Sequence, residues 1–287
     1  MKECELYKIE KGKVRCLACS HKCLISEGRV GICGVRKNVN GKLYLLVYGK
    51  VASMNVDPIE KKPLYHFLPH TKTFSIGTVG CNFKCDFCQN FEISQAPKQG
   101  RIFGKDIRPE EIVEKAIQSG CKSISYTYNE PAIFIEFVKS VAIIAKKRRL
   151  KNILVTNGYL SKESFDYISD YIDAMNIDLK SFSEKFYNKY CGGKLKPVLE
   201  TIKMAHEKEI HIELTTLVIP GLNDSASELN KIAKFIASVD KNIPWHISRF
   251  FPMYKMLNKP VTPISTLEKA KEIGRKAGLK FVHIGNV

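Results

Sequence analysis

From residue 73 onward the chain alternates two hydrophobic rhythms. Short runs of alternating apolar and polar residues predict strands at Thr73–Thr78, Ser123–Tyr128, Ile153–Thr156, Ala174–Leu179, Ile210–Val218, Trp245–Phe250 and Lys280–Ile284. Longer stretches of helical period lie between them, near Pro109–Ser119, Pro131–Lys147, Ser161–Ser169, Pro197–Lys208, Ser225–Ser238 and Thr266–Ala277. The first has Pro at its start and Gly120 just past its end, the asymmetry expected of a helix. Repeated β–α units predict a parallel sheet with right-handed crossovers. The fold class is therefore α/β, a partial or full β/α (TIM-like) barrel, with ligands at the C-terminal ends of the strands.

Within the strands, one face is apolar and the other polar. Ile124, Tyr126 and Tyr128 oppose Ser123, Ser125 and Thr127; Met175, Ile177 and Leu179 oppose Asn176, Asp178 and Lys180. Ile212 and Leu214 oppose His211, Glu213 and Thr215; Trp245 and Ile247 oppose His246 and Ser248. Helices pack on the outside of such a barrel, so the polar face points inward. Closed barrels normally fill that interior with branched apolar residues, and unpartnered buried polar groups are costly. The pattern implies a wide, wet interior that holds a polar ligand.

Residues 1–70 differ. They hold five cysteines, a β-like run at Leu43–Tyr48, turns at Asn40-Gly41 and Asp57-Pro58, and no long helical period. The expected organisation is a Cys-rich N-terminal metal module and linker over 1–70, followed by the barrel over 71–287.

Composition narrows the class. An apolar fraction of 44% rules out wholesale disorder. No apolar run approaches the roughly 18 residues of a membrane span. The N-terminus lacks the apolar core of a secretory signal, which leads us to expect a cytoplasmic protein. In a reducing compartment ten cysteines are not a disulfide framework, and seven of them fall into two clusters, which points to metal. The net charge of +17 suits acidic partners, either nucleic acid or an acidic electron carrier, or else a solvated Lys-rich surface.

The second cluster, Cys81-Asn-Phe-Lys-Cys85-Asp-Phe-Cys88, follows the first predicted strand through Gly77-Thr78-Val79-Gly80. At this chain's cysteine frequency, chance supplies about 0.01 copies of a fixed three-Cys spacing. Thiolates are soft ligands for zinc or iron–sulfur clusters. A structural zinc wants four ligands; three cysteines without an adjacent fourth suggest a cubane iron–sulfur cluster with one iron open, or a zinc completed by a distant His. The first cluster, Cys16-x2-Cys19-x3-Cys23-x9-Cys33, is a complete four-thiol set for zinc or an auxiliary cluster, with His21 read as a turn or supporting residue.

A C-x3-C-x-aromatic-C loop after the first strand of a β/α barrel resembles the radical S-adenosylmethionine (SAM) superfamily. The resemblance implies a 4Fe–4S cluster on Cys81, Cys85 and Cys88, with Phe87 as the aromatic of the motif. It also implies SAM bound at the open iron and cleaved by one electron to a 5′-deoxyadenosyl radical. The family's Gly-Gly-Glu-Pro segment reads Tyr128-Asn129-Glu130-Pro131 here, which implies that Glu130 meets the SAM amino group and that Thr127 or Asn129 supplies side-chain contacts.

Activases of glycyl radical enzymes resemble the chain further. Their Asp-Thr-Asn-Gly reads Val155-Thr156-Asn157-Gly158, placing Asn157 in the site. Their Asp-Leu-Lys is intact as Asp178-Leu179-Lys180, and Val218–Asp224 resembles the loop after their fifth strand. Val155 replaces an Asp, and Pro252-Met253-Tyr254 stands where they carry Pro-x-His, so inward-facing His246 is the expected substitute contact.

The four-thiol module, with Asp57–Phe67 and Cys88-Gln89-Asn90-Phe91, looks like the radical SAM component of the AmmeMemoRadiSam group. Members of that group often continue past Val287 with a tail bearing another Cys pair, and a tail, metal site or lid of that kind is absent from this sequence. The function implied is hydrogen abstraction from a protein or peptide substrate, with an acidic flavodoxin- or ferredoxin-like electron donor and no membrane. RNA modification and a non-catalytic iron–sulfur carrier stand as alternatives. Cys121 is read as a small core residue, Cys191 as a loop thiol or substrate-channel group, and Lys146–Arg149 as a solvated helix end.

Overall fold

A computed structural model describes all residues, Met1–Val287. Eight strands form one sheet whose spatial order follows the chain: β1 Ser53–Pro58, β2 Lys72–Gly77, β3 Ser123–Tyr126, β4 Lys151–Thr156, β5 Ala174–Asp178, β6 His211–Val218, β7 Trp245–Arg249 and β8 Val282–Gly285. β1 runs antiparallel to β2, and β2 to β8 are parallel. Each β–α crossover carries one long helix: α1 Pro109–Gln118, α2 Ile135–Lys147, α3 Lys162–Ile168, α4 Leu195–Glu207, α5 Ala226–Val239 and α6 Ile264–Lys276. β1 and β8 do not pair, so this is a partial barrel.

Local chemistry sets the boundaries. Pro109 opens α1 and Gly120, at φ +68°, follows its end, as expected from sequence. Ser161 caps α3: its Oγ accepts from the Ser164 N–H at 3.0 Å, and the Ser164 hydroxyl accepts from the Ser161 N–H at 3.1 Å. Replacing such a cap by Ala typically costs about 1 kcal/mol.

One register expectation fails at a place that matters. β3 ends at Tyr126, and Tyr128 has φ +68°. That turn reverses the alternation, so Tyr128 leaves the outer face. Its hydroxyl donates to Asp57 Oδ2 at 2.8 Å and accepts from Asn55 Nδ2 at 3.0 Å.

The interior is also less open than its polar lining suggests. The segment after β1 folds into the lower half of the barrel. Ile59 and Leu64 are fully buried against Ile153 and Ala174. Asn176 Nδ2 donates to the Pro63 carbonyl at 2.8 Å, and the Tyr65 and His66 N–H groups donate to Glu213 at 3.0 and 2.8 Å. Lys62 pairs with Asp57 at 2.7 Å, both side chains at most 5% exposed. The inward polar residues near the floor thus bind the chain itself. His66 Nε2 lies 2.8 Å from His283 Nε2, bridging the strap to edge strand β8.

The N-terminal residues build two small antiparallel sheets: Tyr7–Glu10, Lys13–Cys16 and Leu24–Ile25 in one, Lys2–Glu3, Arg36–Val39 and Lys42–Leu45 in the other. Val14, Ile25, Val35, Leu43 and Leu45 belong to the same apolar core as the barrel helices. Arg36, 1% exposed, forms a bidentate pair with Glu136 of α2, and its Nε donates to the Ile133 carbonyl at 2.9 Å. Removing one partner of a buried pair costs about 3–5 kcal/mol, because the other charge stays buried alone. No helix is long and apolar enough to cross a membrane.

Candidate active site

The loop after β2 carries Cys81, Cys85 and Cys88 at the C-terminal end of the sheet, where β/α barrels bind ligands. Gly80 is required there: a Cβ on it would come 2.8 Å from Val35 Cγ1 and 2.9 Å from the Cys33 carbonyl. The N-terminal module therefore abuts the cysteine loop directly. His21 Nε2 meets the Asn82 carbonyl at 2.9 Å, so His21 supports the loop as a neighbour of Cys81.

Asn129 clamps the same loop. Its Nδ2 donates to Thr78 Oγ1 at 3.0 Å and to the Gly80 carbonyl at 2.8 Å. Thr127 is buried just before it. Glu130 is wholly buried; it accepts from the Ala132 and Asn157 N–H groups at 3.0 and 2.8 Å and from the Thr156 hydroxyl at 2.8 Å. Burial outweighs these three donors, and nearby Asp178 adds to it, so the Glu130 carboxyl is pushed up to about 7. No cation accompanies it.

Asn157 donates from Nδ2 to Asn82 Oδ1 at 2.8 Å, with Cys81 Sγ at 4.0 Å. Asp178 and Lys180 pair at 2.7 Å, and Lys180 Nζ lies 5.9 Å from the Phe87 ring centre. Asn223, from the loop after β6, holds the Lys180 carbonyl at 2.7 Å. Burial opposes the Lys180 charge, but the paired Asp178 carboxylate outweighs it and keeps the ammonium above its usual range. Phe87 is buried beside Phe186, ring centres 5.8 Å apart.

His246 does not join this set. Its Nε2 lies 2.6 Å from Glu213 Oε2 and its ring packs on Tyr65 at 4.7 Å, so the strap takes up the side chain expected at the mouth. Asn82 and the backbone of Tyr128, whose carbonyl accepts from Asn90 Nδ2 at 2.8 Å, were not anticipated here, and Cys191 was anticipated only as a loop thiol or substrate-channel group. Asn82 is buried, and its Nδ2 has no protein partner. Cys191 is fully buried, and its carbonyl accepts from the Lys84 N–H of the cysteine loop at 2.9 Å. No local spacing marks any of them.

The residues present fit an iron–sulfur cluster. One loop carries three soft thiols, and the orphaned Asn82 amide supplies an uncommitted donor beside Cys81. In the N-terminal module, Cys16, Cys19, Cys23 and Cys33 line one small enclosed cavity, with Arg36 and His21 in its wall.

Residues 75–236 match the family model of the radical SAM superfamily. An uncharacterized protein of Methanocaldococcus jannaschii is 46% identical over all of this chain and 86% of its own length. Pyruvate formate-lyase 1-activating enzyme of Escherichia coli is 22% identical over 58% of this chain and 71% of its own. The structure of Streptococcus suis SuiB bound to S-adenosylmethionine superposes with a TM-score of 0.57, at 14% identity, over 72% of this chain and 48% of that one, a likeness of fold. With its cysteine loop at the barrel mouth, the chain belongs to the radical SAM superfamily, which implies a 4Fe–4S cluster and SAM, and it is related to the pyruvate formate-lyase activating enzymes.

Proposed function

We propose that the protein uses SAM to abstract a hydrogen atom from a protein or peptide substrate. The observation that carries this is Glu130: a buried carboxylate without a cation, beside a three-thiol loop at the barrel mouth. When bound, the cluster and SAM supply one-electron cleavage of SAM to a 5′-deoxyadenosyl radical, which takes hydrogen from the substrate. This chain's residues hold and orient. Cys81, Cys85 and Cys88 would hold the cluster. Glu130 receives the SAM ammonium, and Asp178, Lys180 and Asn157 line the same mouth. Asn129 fixes the thiol loop by its clamp on Thr78 and Gly80, and its own N–H donates to the Thr127 carbonyl at 3.0 Å. Glu130, Thr127 and Asn157 are buried and keep water from their side of the site.

The substrate class follows from the relationship to activating enzymes; a Memo-type or AMMECR-type partner protein is the candidate from the sequence resemblance. The N-terminal four-thiol cavity takes a second metal, zinc or an iron–sulfur cluster, and an acidic flavodoxin- or ferredoxin-like protein supplies the electron. Glycyl-radical activation itself is disfavoured by Val155 at the activases' Asp position. The test is anaerobic reconstitution with SAM and a strong reductant. 5′-Deoxyadenosine is the expected product; its absence with an intact cluster overturns the reading and leaves a non-catalytic carrier. The charge of +17 suits RNA and an acidic electron donor equally, which leaves RNA modification as the second reading. Steep salt-dependent RNA binding would support that reading.

A further inference from the structure

The N-terminal module and the cysteine loop leave a second cavity between them, of about 550 Å³. It shares His21, Ile32 and Asn82 with the wall of the four-thiol cavity, and Lys84, Lys98 and Lys194 give it a basic side. None of the loop thiols borders it, nor do Glu130, Asp178 and Lys180, so it is distinct from the barrel mouth. No acidic residue borders it either. The neighbouring acids are engaged elsewhere: Asp86 pairs with Lys255 at 3.7 Å, Glu163 pairs with Lys22 at 2.7 Å, and Glu184 accepts from the Leu195 N–H at 2.9 Å. Three ammonium groups thus face one hollow without a counter-charge.

The backbone sets their placement. Lys98 Nζ donates to the Phe83 carbonyl of the cysteine loop and to Gln95 Oε1, each at 2.9 Å. The Lys84 stem lies across Gly192, where a Cβ would come 2.8 Å from Lys84 Cγ. At the rim, Ile32 is 51% exposed, and Val30, two residues before it, is 46% exposed. Apolar contacts inside a charged rim are the make-up of a protein-docking face. RNA is held instead by open aromatic rings on which bases stack. The two rings here, His21 and Tyr159, pack on each other with centres 4.7 Å apart, and Tyr159 is buried.

We propose that this face docks the electron donor, a ferredoxin-like protein whose acidic side chains meet Lys84, Lys98 and Lys194 around Ile32. The proposal rests on the radical SAM reading, since it names the surface through which that reaction receives its electron. The hollow adjoins the cysteine loop through Asn82 and Lys84 and the four-thiol site through His21 and Ile32. A donor seated there lies against both thiol sets and leaves the barrel mouth to the substrate. The donor loses one electron and the catalytic cluster gains it; no bond is made or broken and no proton moves. Opposite charges speed the encounter, and salt slows it.

The test uses the full chain, reconstituted anaerobically, as wild type, Lys84→Glu/Lys194→Glu and Lys194→Glu. Lys98 stays, because it ties down the loop. Binding of an acidic two-cluster bacterial ferredoxin is measured by calorimetry at low and high salt. 5′-Deoxyadenosine is measured with that ferredoxin or with dithionite as reductant. At low salt the double variant should lose about 100-fold in ferredoxin affinity and ferredoxin-driven rate, and Lys194→Glu about 10-fold, with iron content and the dithionite-driven rate unchanged. Equal ferredoxin affinity in the double variant and the wild type would overturn the proposal, as would wild-type binding that ignores salt. Loss of RNA binding in the double variant with the ferredoxin-driven rate intact would give the face to RNA and overturn it equally. If Lys84→Glu costs the loop its iron, Lys194→Glu, outside that loop, decides alone. A wild type that makes no 5′-deoxyadenosine with dithionite strikes the radical SAM reading, while the calorimetry still tests the face, which separates the two failures.

Discussion

Glu130 and Glu213 are both fully buried carboxylates of one barrel, yet burial leaves them in opposite states. Glu213, toward the floor, meets four donors: the Tyr65 and His66 N–H groups, His211 at 3.0 Å and His246 at 2.6 Å. Burial alone would raise its carboxyl, but these partners outweigh it and hold the group down at about 2. Glu130, at the mouth, meets three donors and no basic side chain, and burial wins, to about 7. A charge that the chain satisfies itself is part of the architecture. A charge left incomplete implies a partner from outside, and the SAM ammonium has the required sign.

This contrast can be broken in four ways, from the largest expected effect down. Glu213→Gln should destabilise the protein by about 3–5 kcal/mol, since it strips the charge from a buried network. Urea unfolding checks it, and SAM affinity per folded molecule should hold. Glu130→Gln should do the reverse, keeping stability while weakening SAM binding by about 100-fold, the scale of a truncated buried charge pair. Isothermal titration on reconstituted protein would show it; equal affinity would remove Glu130 from the SAM site.

The third way is pH. A carboxyl raised to about 7 binds a proton in the folded state that the unfolded chain has released above its usual 4.5. SAM-free stability should thus fall as pH rises from 4.5 through 7, and Glu130→Gln should flatten that limb. SAM binding should tighten up to tenfold per unit as pH rises toward 7, with proton release. Glu213 gives the opposite limb: its stability is present above 4.5 and is lost as pH falls toward 2. The smallest effect concerns His283, lowered to about 4 by burial and by His246 and His66. Its unfolded form takes a proton first, so stability declines as pH falls below 6.5, and His283→Phe should remove that shallow slope from a Tm-against-pH curve.

The mouth was far more legible in the sequence than the floor. The seven parallel strands follow from alternation, and the cysteine loop, Glu130 and Asp178-Leu179-Lys180 carry short-range spacing or register. The floor has neither. Asp57–Phe67 follows no helical or strand period, because it folds as a strap whose partners, Asn176, Glu213 and His283, are spread over the whole barrel. His246 read as a mouth residue because alternation tells inward from outward but not which ligand waits inside. Tyr128 escaped because one positive φ undoes a period of two. Cys191 comes beside the cysteine loop only through a π turn and a pair of glycines, and no pattern in the residues between them reports that approach.

The bridge between His66 and His283 joins residues 217 positions apart. Closing so long a loop must wait until β8 has left the ribosome. The four-thiol module faces no such wait: its contacts to Glu136 and Glu163 are complete once α3 has been made. Assembly therefore runs from the four-thiol module toward the strap's closure, and until β8 arrives Ile59 and Leu64 must either shelter against β4 and β5 alone or stand exposed to chaperones.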